Sequence, residues 1–403
     1  MVNSELGIAF TPQTIGKVKI ENRIVRSATY LSLATEDGQI TDDLITRYEE
    51  LAEGGVGLTI TGVSTVREDG KQLAKMMHNF SDDYLEGLTN LAGAYHDKTK
   101  EIGNNSKIFL QVGHCGKQTT HWGWQGELIS SSDIENKVIN KMPKKLSVKE
   151  IEEIVKLFAE ATERAKKAGF DGVQFHGAHG YLINQFYSPY MNNREGDKYG
   201  GSIENRAKFT VEILKESQKK VGNMFPINLK MNGYDGVKGG LEPNEASELA
   251  IIFAKEGFNS LEISSYIHEA SLNVKIPSLP PECQINVRQR GLEAFNLKSA
   301  AQIKEKLKQT ASTNIPIILV GGIYRLEKIN EIIDSTGIEF CSMCRPLIRQ
   351  PNLPKLWRNG PPSPEAECIH CNQCMNEVLR KGPKCQGVRC IQKEKEERKR
   401  KKA

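Results

Sequence analysis

Short β-branched or apolar runs recur at 24–29, 57–62, 107–112, 172–177, 226–232, 260–265, 316–321 and 338–344, and each precedes a longer stretch with helical spacing. Strands that alternate with helices are joined by right-handed crossovers and so form a parallel sheet. Eight such units in a 403-residue chain predict an α/β fold, a (β/α)8 TIM barrel. An open doubly wound sheet would commonly show fewer strands and a Gly-rich dinucleotide turn, and no G-x-G-x-x-G occurs. Helix signals agree locally: Ser147 and Glu150 form a capping box, after which Ile151, Ile154, Val155 and Phe158 fall on one face. We expect the barrel over residues 1–360. Residues 361–403 then hold a linker marked by Pro361, Pro362 and Pro364, a short cysteine-rich metal-binding extension and a basic tail.

Composition narrows the class of protein. With 38% hydrophobic and 26% charged residues, long disorder, a collagen-like fibre and a membrane bundle are poor readings. No apolar run approaches the ~20 residues of a bilayer span, and the first residues lack a signal-peptide layout, so a cytoplasmic location is expected. The net charge is +5, yet residues 391–403 alone carry seven Lys/Arg against three Glu, leaving the remainder nearly neutral. A nucleic-acid enzyme would spread its basic excess over a folded face. The tail from Lys393 to Lys402 reads as a solvated helix end. The sequence leaves open whether the protein is a homo-oligomer.

Barrel enzymes carry their chemistry at the C-terminal ends of the strands. That rule selects Ala28, Thr29, Gly62, Gln111, His114, His176, His179, Lys230, His268, Gly321, Gly322, Cys344 and Arg345. Gly321 and Gly322 end strand seven and Cys344-Arg345 end strand eight, where barrels often bind phosphate through backbone N–H groups and an arginine fork. Glycines merely turning a strand into a helix would explain the first pair alone. In His176-Gly177-Ala178-His179-Gly180-Tyr181, the H-x-x-H spacing lies in a glycine-broken turn without the glutamate and helix of a zinc protease. Two neutral imidazoles can instead donate to one substrate oxygen while Tyr181 supplies a proton. Satisfied polar residues at a barrel rim are the bland alternative.

Five of the nine cysteines crowd into Cys368-x2-Cys371-x2-Cys374-x10-Cys385-x4-Cys390. In a chain without secretory signals this spacing indicates a metal rather than disulfides. The gaps suit a [4Fe–4S] cluster, and Cys368 and Cys371 with Cys385 and Cys390 would equally make a four-thiolate zinc site. The other four cysteines read mostly as small hydrophobes.

The chain resembles the Old Yellow Enzyme family of FMN-dependent ene-reductases, in particular the barrel part of its iron–sulfur branch, the 2,4-dienoyl-CoA reductases and amine dehydrogenases. The carriers are Asn22-Arg23-Ile24-Val25 with Arg26-Ser27-Ala28-Thr29, Gln111-Val112-Gly113-His114, the His176 to Tyr181 block, Asn193-Arg194 through Glu204-Asn205-Arg206, Val320-Gly321-Gly322-Ile323 and Arg345-Pro346-Leu347. The resemblance implies that Ala28, Thr29, Gly62 and Gln111 hold the isoalloxazine, and that Gly321, Gly322, Cys344 and Arg345 hold the FMN phosphate. It makes His176 and His179 the grip on the substrate's activating group, Tyr181 the proton donor and His268 a second acid. Lys230 stands where many relatives have arginine, keeping a cation beside reduced FMN without the fork. Tyr30 stands where amine dehydrogenases attach FMN through a cysteine, so that bond is excluded here. Family usage favours iron–sulfur over zinc, with Cys368, Cys371, Cys374 and Cys385 as ligands and Cys390 as the alternative fourth.

What the resemblance implies about activity is reduction of an activated C=C bond in a small-molecule enone, enoate or enoyl thioester. FMN would be loaded by NAD(P)H or by a ferredoxin or flavoprotein donor, because the FAD- and NAD-binding domains of iron–sulfur relatives do not follow residue 403. Oxidative amine demethylation is the alternative activity, and an electron-transfer subunit without its own turnover the alternative class. A metal-dependent hydrolase is weaker, since the strand ends lack the required carboxylate and histidine set.

Overall fold

The computed structural model describes residues 6–273, 281–310, 314–360 and 364–401. Eight parallel strands close on themselves: β1 (Ile24–Arg26), β2 (Leu58–Thr65), β3 (Lys107–Gly113), β4 (Gly172–Gly177), β5 (Ile227–Asn232), β6 (Ser260–Ser264), β7 (Ile317–Val320) and β8 (Phe340–Met343). Closure is made by β8 on β1, with Ser342 opposite Val25, and by β1 on β2, with Val25 opposite Leu58. Every strand expected from the periodicity is present, and the barrel is the architecture it implied. A ninth, two-residue strand at Met77–His78 extends the sheet beside β2; two residues are too few for alternation to be read.

Each crossover carries a long helix: α1 (Asp42–Glu53), α2 (Leu85–Glu101), α3 (Val148–Lys167), α4 (Ile203–Val221), α5 (Pro243–Glu256), α6 (Leu297–Gln309) and α7 (Leu326–Thr336). The start of α3 shows why they form. Glu150 N–H donates to Ser147 Oγ at 3.3 Å, Ser147 N–H donates to Glu150 Oε2 at 2.8 Å, and Ile151, Ile154, Val155 and Phe158 are buried behind this cap. Phe158 then meets Phe175 of β4 edge to face at 5.8 Å, one of the contacts that seat the helix ring on the strands.

The barrel floor is plugged by a hairpin, Gln13–Ile15 with Val18–Ile20. Its Ile15 and Ile20 pack against Val25, Leu58, Ile60, Phe109, Ile318 and Phe340. Each such side chain contributes roughly 1.5–3 kcal/mol by leaving water. The N-terminal end of the barrel is thus sealed by apolar contacts, and the large cavity lies at the C-terminal end.

Residues 364–401 fold back over that open end. Val388 N–H donates to the Leu31 carbonyl, Lys75 Nζ to that of Cys385, and Asn286 N–H to that of His370. The segment carries α8 (Gln373–Lys381) and α9 (Ile391–Arg400), the latter with no buried residue, as expected of a solvated basic tail. Pro364 receives the Leu326 N–H, whereas Pro361 and Pro362 of the expected linker, and Lys402 of the tail, lie outside the described residues. Among the described residues no helix is long and apolar enough to cross a membrane.

Candidate active site

The strand ends open into one cavity of about 320 Å3. Beneath Gln111, Lys230 and Ser342 of its lining lies a polar layer where a barrel interior is usually apolar. Glu262, fully buried on β6, accepts from Ser27 Oγ at 2.6 Å, Ser342 Oγ at 2.8 Å and Gln174 Nε2 at 3.0 Å. Gln174 in turn accepts from Gln111 Nε2 at 2.7 Å. Lys230 Nζ donates to Ser27 Oγ at 3.0 Å and lies 3.4 Å from Glu262 Oε2. The cation read from the sequence is therefore half of an internal ion pair, which is why a barrel interior can keep it.

Above this layer stand His176, near the end of β4, and His179 and Tyr181 of the turn that follows it. His176 Nδ1 accepts the Ala178 N–H at 3.3 Å, which assigns the ring proton of the neutral form to Nε2. His179 adopts φ of 60°, which turns its ring back to the site: it lies 5.1 Å from His176 at 89°, with Nε2 paired to Ser264 Oγ at 2.7 Å. Only Nδ1 of His179 is left for a ligand. Tyr181 lies 4.2 Å from His176, ring to ring. Burial holds both imidazoles well below their usual range, helped for His176 by Lys230, and pushes the Tyr181 phenol well above its own. All three are neutral at pH 7.

Gln72, from the loop after β2, links this group to His268. Tyr181 Oη donates to Gln72 Oε1 at 2.6 Å, and Gln72 Nε2 lies 3.2 Å from His268 Nε2. Glu282 Oε1 is 3.9 Å from the same nitrogen, its Oε2 has no partner among the described residues, and burial raises its carboxyl.

The opposite end of the cavity suits an anion. Gly321 and Gly322 have φ of 132° and 72°, and a Cβ on Gly321 would come within 2.8 Å of Asn296 Nδ2. Cys344 and Arg345 line the same cavity, and Arg345 Nη1 donates to the Gln284 carbonyl at 2.8 Å and to Asn372 Oδ1. Ala28 and Thr29 line the wall between the two ends, with Tyr30 beside them; its hydroxyl donates to the Ala74 carbonyl.

Two expected positions fall elsewhere. Gly62 sits at a register shift between β2 and β3; its N–H donates to Tyr48 Oη at 2.8 Å, and it does not line the cavity. His114 is a satisfied core histidine, with Nε2 at 3.0 Å from Asp69 and Nδ1 accepting the Gly116 N–H. Residues the sequence reading passed over are Gln72, Glu282, Glu262 and His370. Glu262 alone carried a usable signal, a carboxylate inside the apolar run Leu261-Glu262-Ile263.

Cys368, Cys371, Cys374 and Cys390 line a second, smaller cavity beside Arg345 and Arg349, and Cys374 also faces the main one. Cys385 is not part of that lining. It is buried, with its thiol 3.7 Å from the Gly387 carbonyl. Among the described residues no three His, Cys, Asp or Glu side chains close on a single metal ion. Of the scattered cysteines, Cys115 and Cys341 are buried, while Cys283 and Cys344 face the main cavity.

A parallel barrel with an anion corner, a buried cation and a neutral donor trio around one cavity defines a class of cofactor-binding barrel, and the relationships of the chain narrow it. Residues 9–362 match the NADH:flavin oxidoreductase / NADH oxidase family, to which the chain belongs, in keeping with its resemblance to Old Yellow Enzyme. It is 35% identical over 365 residues to the NADH oxidase of Thermoanaerobacter brockii, covering 90% of this chain and 52% of that protein. It is 32% identical to the NADPH dehydrogenase of Clostridium acetobutylicum, covering 85% and 92% respectively. Among solved structures, a 2-naphthoyl-CoA reductase complex superposes with a TM-score of 0.80 at 25% identity, covering 92% of this chain and 55% of that one. The chain thus spans about half the length of some relatives and nearly all of others.

Proposed function

We propose that the chain is an FMN-dependent ene-reductase acting on an enone, enoate or enoyl thioester. The observation that carries this reading is the neutral trio His176, His179 and Tyr181 gathered in one cavity with an anion corner. The residues fit FMN: Gly321, Gly322, Cys344 and Arg345 would hold its phosphate, and Ala28, Thr29, Gln111 and Lys230 its ring system, with Gly62 behind Thr29. Bound FMN, reduced by NAD(P)H or by a ferredoxin or flavoprotein partner, supplies the hydride. The similarity to a 2-naphthoyl-CoA reductase in complex with 2-naphthoyl-CoA supports a thioester among the substrate classes.

The protein's own part is to hold a carbonyl and to move one proton. His176 Nε2–H and His179 Nδ1–H donate to the carbonyl oxygen, where charge develops as the conjugated carbon accepts hydride. Neutral donors suit this task because they add no buried charge to the empty site. Tyr181 releases its proton to the other carbon of the double bond, and Gln72 holds its hydroxyl until substrate arrives. His268, on the same amide, is the second acid.

In residues 361–403 we read a metal-binding extension with Cys368, Cys371 and Cys374 as thiolate ligands. Four thiols around a cavity, rather than on a point, favour a [4Fe–4S] cluster over zinc, because each thiolate of a cluster meets a different iron. Cys390 shares that cavity and is favoured over Cys385 as the fourth ligand.

Tyr181→Phe tests the assignment. It should slow the oxidative half-reaction by about 10²–10⁴-fold, the usual worth of a positioned acid, and spare FMN reduction in anaerobic stopped-flow. Unchanged turnover would remove Tyr181 from its role.

A further inference from the structure

Between Cys368 and Cys371 the chain places an imidazole that no hydrogen bond explains. His370 is 1% exposed, and among the described residues neither Nδ1 nor Nε2 has a partner. Leaving a buried polar group unmet costs about 1–3 kcal/mol, and folded proteins keep few such groups without a use. The ring is not loose. Asn286 N–H donates to the His370 carbonyl at 3.0 Å, and the imidazole lies 5.6 Å from the Tyr324 ring. It lines the main cavity together with Gly321, Gly322 and Arg345. The neighbouring cations are partly engaged: Arg345 through Nη1 with Gln284 and Asn372, and Arg288 with Glu365 at 2.7 Å and the Ala366 carbonyl. An unused donor therefore stands at the anion corner, on the segment that carries the cysteines.

We propose that His370 is a ligand of the flavin phosphate, and that the cysteine segment is thereby one wall of the phosphate pocket. This rests on the FMN reading above. Either tautomer of a neutral imidazole offers one N–H to a phosphate oxygen, so no change of charge is needed. Asn372 ties the same wall together, accepting from Arg345 and donating to the Cys283 carbonyl. Flavin retention and the metal segment are then coupled through residues 370–372, not only through electron transfer.

The test compares FMN with riboflavin, which lacks the phosphate, on full-length protein purified anaerobically with its metal in place and freed of flavin by dialysis. Dissociation constants are measured for wild type, His370→Ala and His370→Gln, with iron determined on the same samples. We expect His370→Ala to weaken FMN at least tenfold, about 1.4 kcal/mol, while riboflavin binding and iron content stay unchanged. His370→Gln, which keeps an N–H donor, should recover part of the loss. Equal weakening of both flavins, no weakening of FMN, or a loss that tracks iron would each overturn the proposal. Wild-type protein that binds neither flavin would instead overturn the FMN reading itself.

Discussion

His176, His179 and Tyr181 share one property, neutrality imposed by burial, and for the two histidines it has a thermodynamic consequence. In the unfolded chain each imidazole takes up a proton as pH falls below about 6.5, whereas in the fold it stays neutral to much lower pH. The unfolded state then binds more protons, so stability drops with falling pH by about 1.4 kcal/mol per pH unit for each such group. We predict that His176→Gln/His179→Gln flattens the decline between about pH 6.5 and 5, followed by urea unfolding; an unaltered slope would show that these rings are not held neutral. At this scale the sequence was informative where a local motif existed. The β4 turn and the Gly321-Gly322 pair announce themselves within a few residues. Gln72 and Glu282 do not, because their roles depend on loops brought together across the barrel mouth from positions 210 residues apart (282 − 72).

Among the elements, strand periodicity was legible because each barrel strand is buried on both faces and reads as a short apolar run. The α3 cap was legible for a different reason, being complete within four residues. The bulge at Gly62 was not, since a register shift belongs to a pair of strands and has no signature in one of them. The strand-seven turn supplies a test. Gly321→Ala forces a Cβ into φ of 132° and within 2.8 Å of Asn296 Nδ2, which itself donates to the Val320 carbonyl at 2.7 Å. We expect a loss of roughly 1–3 kcal/mol in thermal unfolding, typical of backbone strain, together with weaker FMN retention. A variant as stable and as yellow as wild type would show that this turn is not constrained.

For the molecule as a whole, the plugged floor leaves one end for chemistry, and the C-terminal segment wraps over that end. In the cysteine segment, spacing alone does not decide which thiols gather. Cys385 stands at the more familiar spacing and Cys390 inside the cavity. We predict that Cys390→Ser lowers bound iron sharply while Cys385→Ser retains most of it, by metal analysis of anaerobically purified protein; the reverse pattern would restore Cys385 as the fourth ligand.

All of this depends on a flavin seated across the barrel mouth. Flavin quantification and the visible spectrum of the anaerobically purified protein test it most directly. The account predicts FMN in equimolar amount with the chain, retained through desalting and bleached on reduction. Colourless protein that fails to take up added FMN would contradict it.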